Sequence, residues 1–156
     1  MTFRPLIAAA LLLLPAAGCA PRRIPGTEIR DTQETRAILA VMESYRRALE
    51  ARDAAAIQGL VDRGFRDNAG TPDPEDDLTY DTLMKELPAR LAKLSDVRLE
   101  FTIKRIEVEG ATAQAVYFWN ARYRMPKLNS KPQIDSELEV MQFNRAGEGW
   151  KIVSGI

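Results

Sequence analysis

Histidine is absent from this 156-residue chain, and cysteine occurs once. Without histidine there is no imidazole to act as a general base near neutral pH. The commonest zinc ligand is missing, and Ser–His and Cys–His nucleophile pairs are excluded. One cysteine cannot close an internal disulfide, so the fold must hold by packing alone even in an oxidising compartment. A dominant charge is lacking too: 22 basic residues balance 22 acidic ones, leaving no basic excess to attract nucleic acid. No apolar run reaches the roughly 20 residues a membrane-crossing helix needs; Leu6 to Leu14 is too short.

That short run has a recognisable setting. Arg4 precedes it and Ala16-Ala17-Gly18-Cys19 follows it, an arrangement that resembles a bacterial lipobox, with Ala16 where Leu is more usual. The resemblance implies that residues 1–18 are a signal peptide cut before Cys19, and that Cys19 then carries diacylglycerol and an acyl chain such as palmitate. Three acyl chains anchor stably where one would not. Ala20 after the cysteine is similar to the outer-membrane sorting signal, which implies a cell-envelope protein facing the periplasm. An ordinary secretory leader with a coincidental cysteine is the competing reading. Losing Arg4 with the leader tips the net charge by one towards acid, and the remaining chain is of one-domain length.

Residues 19–30 are polar, contain Pro21, Pro25 and Gly26, and show no period. They predict a flexible tether of roughly 30 Å when extended, with a single domain over 31–156. Asp31 with Glu34 three positions on has the form of a capping box. Ile38, Val41, Met42, Tyr45 and Leu49 then predict a helix as far as Ala51. Asp53 is placed to cap a shorter helix that turns Ile57, Leu60 and Val61 inward. A brief strand is expected within 65–70 and a loop over 71–77, where Pro72 and Pro74 deny regular pairing. A third helix starts near Thr79, with Tyr80, Leu83, Leu87, Leu91 and Leu94 on one face and Pro88 inside it.

After Ser95 the apolar period becomes two. Val97, Leu99, Phe101 and Ile103 alternate with polar residues, and Ile106 and Val108 follow on the opposite parity, which predicts a bulge near Lys104 and Arg105. Glu109-Gly110 suits a tight turn. The strand 111–124 is apolar on both parities, Val116 and Phe118 against Tyr117, Trp119 and Tyr123, so both its faces are expected to be covered. A loop with Pro126 and Pro132, a strand over 137–145, a turn through Gly147 and a last strand from Trp150 to Ile156 complete the chain.

Three helices followed by a long-stranded antiparallel sheet, with the ending Gly149-Trp150-Lys151-Ile152-Val153-Ser154-Gly155 and the segment Tyr45-Arg46-Arg47-Ala48-Leu49-Glu50-Ala51-Arg52-Asp53, resemble the nuclear-transport-factor-2-like superfamily, which includes SnoaL-like polyketide cyclases and ketosteroid isomerase. The resemblance implies an α+β, cone-shaped roll: three N-terminal helices packed on a curved, mainly antiparallel sheet of four or more strands, with a pocket at the wide end. It also places Tyr45 on the pocket tyrosine of ketosteroid isomerase, Asp67 near its general base and Glu139 on its second acid. If the three met in one dry pocket, Tyr45 and a protonated Glu139 would donate to a developing enolate while Asp67 moved the proton. The competing reading makes Tyr45 a core residue, Asp67 a turn residue and Glu139 an exposed strand residue.

The aromatic stripe Tyr117, Trp119 and Tyr123 is read either as a partner surface, since family members often dimerise through the sheet face, or as a covered strand face. The acids Asp67, Asn68, Asp73, Glu75, Asp76 and Asp77 do not match a calcium-loop spacing, so no metal and no cofactor is expected. Three functions follow. The preferred one is a non-catalytic envelope module binding a small apolar ligand or a protein partner. The second is a cofactor-free isomerase, cyclase or dehydratase using Tyr45, Asp67 and Glu139. The third is an assembly module acting through its sheet face. The membrane, through Cys19, is the one partner common to all, and nucleic acid is not among them.

Overall fold

The computed structural model describes residues 22–68, 77–127 and 129–156. The expected leader, Cys19 and the acidic segment 69–76 lie outside the described residues. Three helices, α1 (Gln33–Ala51), α2 (Ala54–Leu60) and α3 (Tyr80–Leu91), cover one face of an antiparallel sheet. The sheet strands are β3 (Ser95–Glu109), β4 (Thr112–Met125), β5 (Asn129–Ala146) and β6 (Gly149–Ser154), hydrogen-bonded in that order. Two short strands, β1 (Arg66–Asp67) and β2 (Leu78–Thr79), pair with each other ahead of α3. The expected α+β arrangement of helices on a four-stranded antiparallel sheet is therefore present. Among the described residues, no helix is long and apolar enough to cross a membrane.

Local chemistry sets the helix ends. Thr32, not Asp31, caps α1: its hydroxyl accepts from the Thr35 N–H, and the Thr35 hydroxyl accepts from the Thr32 N–H. Asp31 is instead drawn into ion pairs with Arg36 and Arg22, at 2.5 and 3.1 Å. Two arginines compete better for a carboxylate than a helix N–H does. Asp53 caps α2 as expected, accepting from Ala56 N at 2.9 Å, and Thr79 caps α3. The core lies between helices and sheet: Ile38, Met42, Ile57, Met141, Phe143 and Ile152 are all essentially inaccessible to water.

Four expectations need correction. The segment expected to be a loose tether is folded from Arg22 onward: the Arg22–Asp31 stretch doubles back on itself, with Arg23 bridged to Arg30 and Ile24 N donating to Ile29 O at 2.9 Å. Burial of Ile29 fixes it, a tertiary contact that leaves no periodic trace. β4 is covered on one face only. Ala113, Ala115 and Tyr117 face the helices, while Phe118 and the β5 residues Leu138 and Val140 stand exposed on the other face. The sheet is a single layer, so nothing among the described residues packs on its back. Pro132 belongs to β5 opposite Arg124 rather than to a loop. β6 pairs only with residues 142–146, so the far side of β5 there carries no strand bond for proline to break. Finally, β6 ends at Ser154, because Gly155 turns with φ +84°.

The bulge expected near Lys104 is present as a register shift between Ile103 and Arg105, and it keeps Ile106 and Val108 on the helix side. β3 is an edge strand, and α1 shields it: Glu50 accepts from the Leu99 N–H at 2.9 Å, and Arg46 donates to the Leu99 carbonyl at 3.1 Å.

On the same helix, hydrogen bonds from Arg46 and then Arg47 hold the Glu43 carboxyl at about 2, against an ordinary 4.5. A folded-state value below the unfolded one contributes stability above about pH 4.5 that is lost as the pH falls towards 2. The Glu43 side chain is 41% exposed, so water screens the pair and the contribution stays below about 1 kcal/mol. Glu43→Gln should lower the urea midpoint slightly at pH 7 and not at all near pH 2; a gap that persists at pH 2 would show that packing, not charge, is responsible.

Candidate ligand-binding cavity

A cavity of about 400 Å³ opens between the C-terminal half of α1 and the concave side of the sheet. Tyr45 and Leu49, one helical turn apart, form its helical wall. Val97, Leu99 and Phe101 line it from β3, and Tyr117, Trp119, Ala121 and Tyr123 from β4. Every second residue of a strand shares a face, so the two alternating series deliver their side chains to one hollow. β5 contributes Asp135 and Glu139, while Leu94 and Ile156 close the rim.

The rings form a connected set. Tyr45 and Phe101 stack with centroids 6.4 Å apart, and Phe101 meets Tyr117 edge-on at 4.9 Å. Tyr45 is only 7% exposed. Burial, with a smaller push from the Asp67 charge, raises its hydroxyl well above the usual tyrosine range. Burial does the same for Tyr117, assisted by Tyr45, Glu139 and Asp67. Both phenols therefore stay protonated at any physiological pH. The Tyr117 hydroxyl donates to the Gly155 carbonyl at 3.1 Å. Among the described residues no hydrogen bond reaches the Tyr45 hydroxyl, which borders the cavity. At the open end Tyr123 donates to Asp135 at 2.5 Å, and this bond raises the Tyr123 hydroxyl above its ordinary value.

The three residues expected to act together are thus divided. Tyr45 and Glu139 both line the cavity, Glu139 directly across the strand pair from Tyr117. Asp67 does not line it: its carboxylate accepts from the Gly155 N–H at 2.7 Å, behind the tyrosines. Tyr117, Trp119 and Tyr123, considered as a partner surface, lie on the concave side because odd positions of β4 face the helices. Asp135 had no place in the expected site. Its signal was present as an alternation of acids, Asp135, Glu137 and Glu139, on the strand that follows the alternating aromatics. Among the described residues no three His, Cys, Asp or Glu side chains converge in a way that could hold a metal ion.

Compared by sequence, the chain matches no protein-family model and no curated protein. Compared by structure, it is similar to many solved proteins. One is a nuclear transport factor 2-like superfamily protein from Salmonella enterica, 16% identical with a TM-score of 0.65, the match covering 77% of this chain and 86% of that one. Another is a ketosteroid isomerase-like protein from Erwinia carotovora, 15% identical with a TM-score of 0.64, covering 81% and 98%. A third, from Caulobacter vibrioides, is described by its cystatin-like fold; it is 16% identical with a TM-score of 0.62, covering 80% and 87%. At such identities what is shared is the fold.

Proposed function

We propose, from a chain with the nuclear-transport-factor-2-like fold, that this protein is a lipid-anchored envelope module whose cavity binds a small, largely apolar ligand. The observation that carries the reading is a hollow of about 400 Å³, within the roughly 300–1,000 Å³ range of small-molecule sites. Its walls are mostly aromatic and aliphatic, with a few convergent polar groups, and the Tyr45 hydroxyl stands ready for a ligand atom. The isomerase-type alternative needs a mobile base in the hollow, and the carboxylate assigned to that role, Asp67, is engaged with backbone instead.

Anchoring through Cys19 would keep one end of the domain close to the membrane. Only three residue steps separate Cys19 from folded Arg22, a reach of about 10 Å. The folded N-terminal stretch adjoins the start of α1, where Glu34 pairs with Arg145, while the cavity adjoins the end of α1, where Arg52 donates to the Leu94 carbonyl. A 19-residue helix is about 28 Å long. The cavity mouth can therefore lie as far as about 28 Å from the anchored end of the domain, within reach of the aqueous compartment. A second reading, a protein partner or a second copy on the back of the sheet, is supported by Ile134 and Leu138, which are 67% and 60% exposed there.

Native mass spectrometry of the protein extracted from host membranes in mild detergent reads all three points. A mature chain beginning at an acylated Cys19 with a retained small molecule is the expected spectrum. A mass retaining Met1 and no lipid would overturn the anchor, an empty cavity under gentle activation would count against the ligand, and a dimer would favour the second reading.

A further inference from the structure

Building on that reading of the cavity as a ligand site, we infer that its ligand carries a positively charged nitrogen, as a primary or secondary ammonium on an apolar body. Asp135 and Glu139 are the ionisable acids of the lining, and among the described lining residues there is no lysine or arginine. Strand alternation explains the separation: Arg122 and Arg124 take the even positions of β4 and point to the other side, where Arg124 pairs with Asp96 at 3.2 Å. Glu137 extends the acidic series between the two lining carboxylates, opposite Trp119. Beside these acids, on the same face of the sheet, runs the row of rings Tyr117, Trp119 and Tyr123, whose faces attract cations by their quadrupoles.

Glu139 is half-buried in the cavity wall, where a cation would compensate its charge, and Asp135 stands exposed at the open end. Asp135 has the Tyr123 hydroxyl, whereas the bond recorded for Glu139 is from the N–H of its own neighbour, Val140, at 3.1 Å. The Tyr45 hydroxyl adds a polar group with no hydrogen bond among the described residues: it belongs to a side chain more than nine-tenths buried, borders the cavity, and can accept from an ammonium N–H through its lone pair. An anionic ligand would meet two like charges and no counter-charge. A neutral one would gain no charge attraction from either carboxylate.

The test uses the full chain in phosphatidylcholine nanodiscs, with empty nanodiscs as reference, and isothermal titration at pH 7 with three matched probes: 3-phenylpropylamine, 3-phenylpropanol and 3-phenylpropanoate. The amine should bind at least tenfold more tightly than the alcohol, and the carboxylate should bind least. Glu139→Gln and Asp135→Asn should each shrink the amine-to-alcohol ratio several-fold, while Glu148→Gln, in the exposed β5–β6 turn, should leave it unchanged. Equal binding of amine and alcohol, or a ratio indifferent to both acidic substitutions, would overturn the charge preference and leave the cavity as a ligand site. Binding by none of the three would overturn the ligand reading itself, and this inference with it.

Discussion

Gly155→Ala should be among the most damaging single substitutions in the domain, lowering stability by about 3 kcal/mol or more and Tm by on the order of 10 °C. Gly155 has φ +84°, and a Cβ built on it would lie 2.1 Å from the Val140 carbonyl oxygen and 2.8 Å from the Met141 Cα. Those are backbone atoms of a paired strand, so they cannot step aside as a flexible side chain could. Two polar contacts depend on the same position: its N–H donates to Asp67, and its carbonyl accepts from buried Tyr117. Displacing it would take the Gly155 N–H away from the Asp67 carboxylate, leave the buried Tyr117 phenol without its acceptor and pull Ile156 from the cavity rim. Gly147 is the control. It also has positive φ, +61°, but a Cβ there meets nothing within 4 Å, so Gly147→Ala should cost only about 1 kcal/mol. Thermal melts of the two variants side by side decide the matter; equal losses would mean that the chain does not wedge against β5 at Gly155.

This contact also marks the limit of what the sequence could disclose. Asp67 and Gly155 are 88 positions apart, and no pattern in the intervening residues links a carboxylate after α2 to a glycine after β6. By contrast, the α1 face from Ile38 to Tyr45 and the parity change between Ile103 and Ile106 are local consequences of periods 3.6 and 2, and both appear where periodicity puts them. Between these extremes lies β4. With apolar residues on both parities, its sequence cannot say which set faces the helices. The choice is made by β3 and β5, whose inward residues, Phe101 and Phe143 among them, fix the shared face through cross-strand register. Once that face is set, Tyr117, Trp119 and Tyr123 become cavity wall, and Phe118 is left outside. The folded stretch 22–31 escaped notice for a related reason: one buried isoleucine is enough to dock a segment, and one residue has no period.

The assignment of faces can be tested on two phenylalanines that the sequence alone treats alike. Phe143 on β5 is 1% exposed, paired with Ala113 on one side and Ile152 on the other, deep in the core. Phe143→Ala removes a large side chain from a place where neighbouring strands cannot collapse, and should cost about 3–5 kcal/mol. Phe118 on β4 is 37% exposed on the back of the sheet, opposite Thr102 and Leu138. Phe118→Ala loses only part of a transfer term and leaves no enclosed void, so it should cost within about 1 kcal/mol. Urea midpoints for the two variants, read with an unchanged m-value, give the comparison directly. A reversed order would mean that the sheet presents its other side to the helices, and the cavity built on Tyr117 and Trp119 would then have no walls. A large loss at both positions would mean that the back of the sheet is covered in solution, as it would be by a second copy, and the Phe118 loss should then fall away on dilution to the monomer.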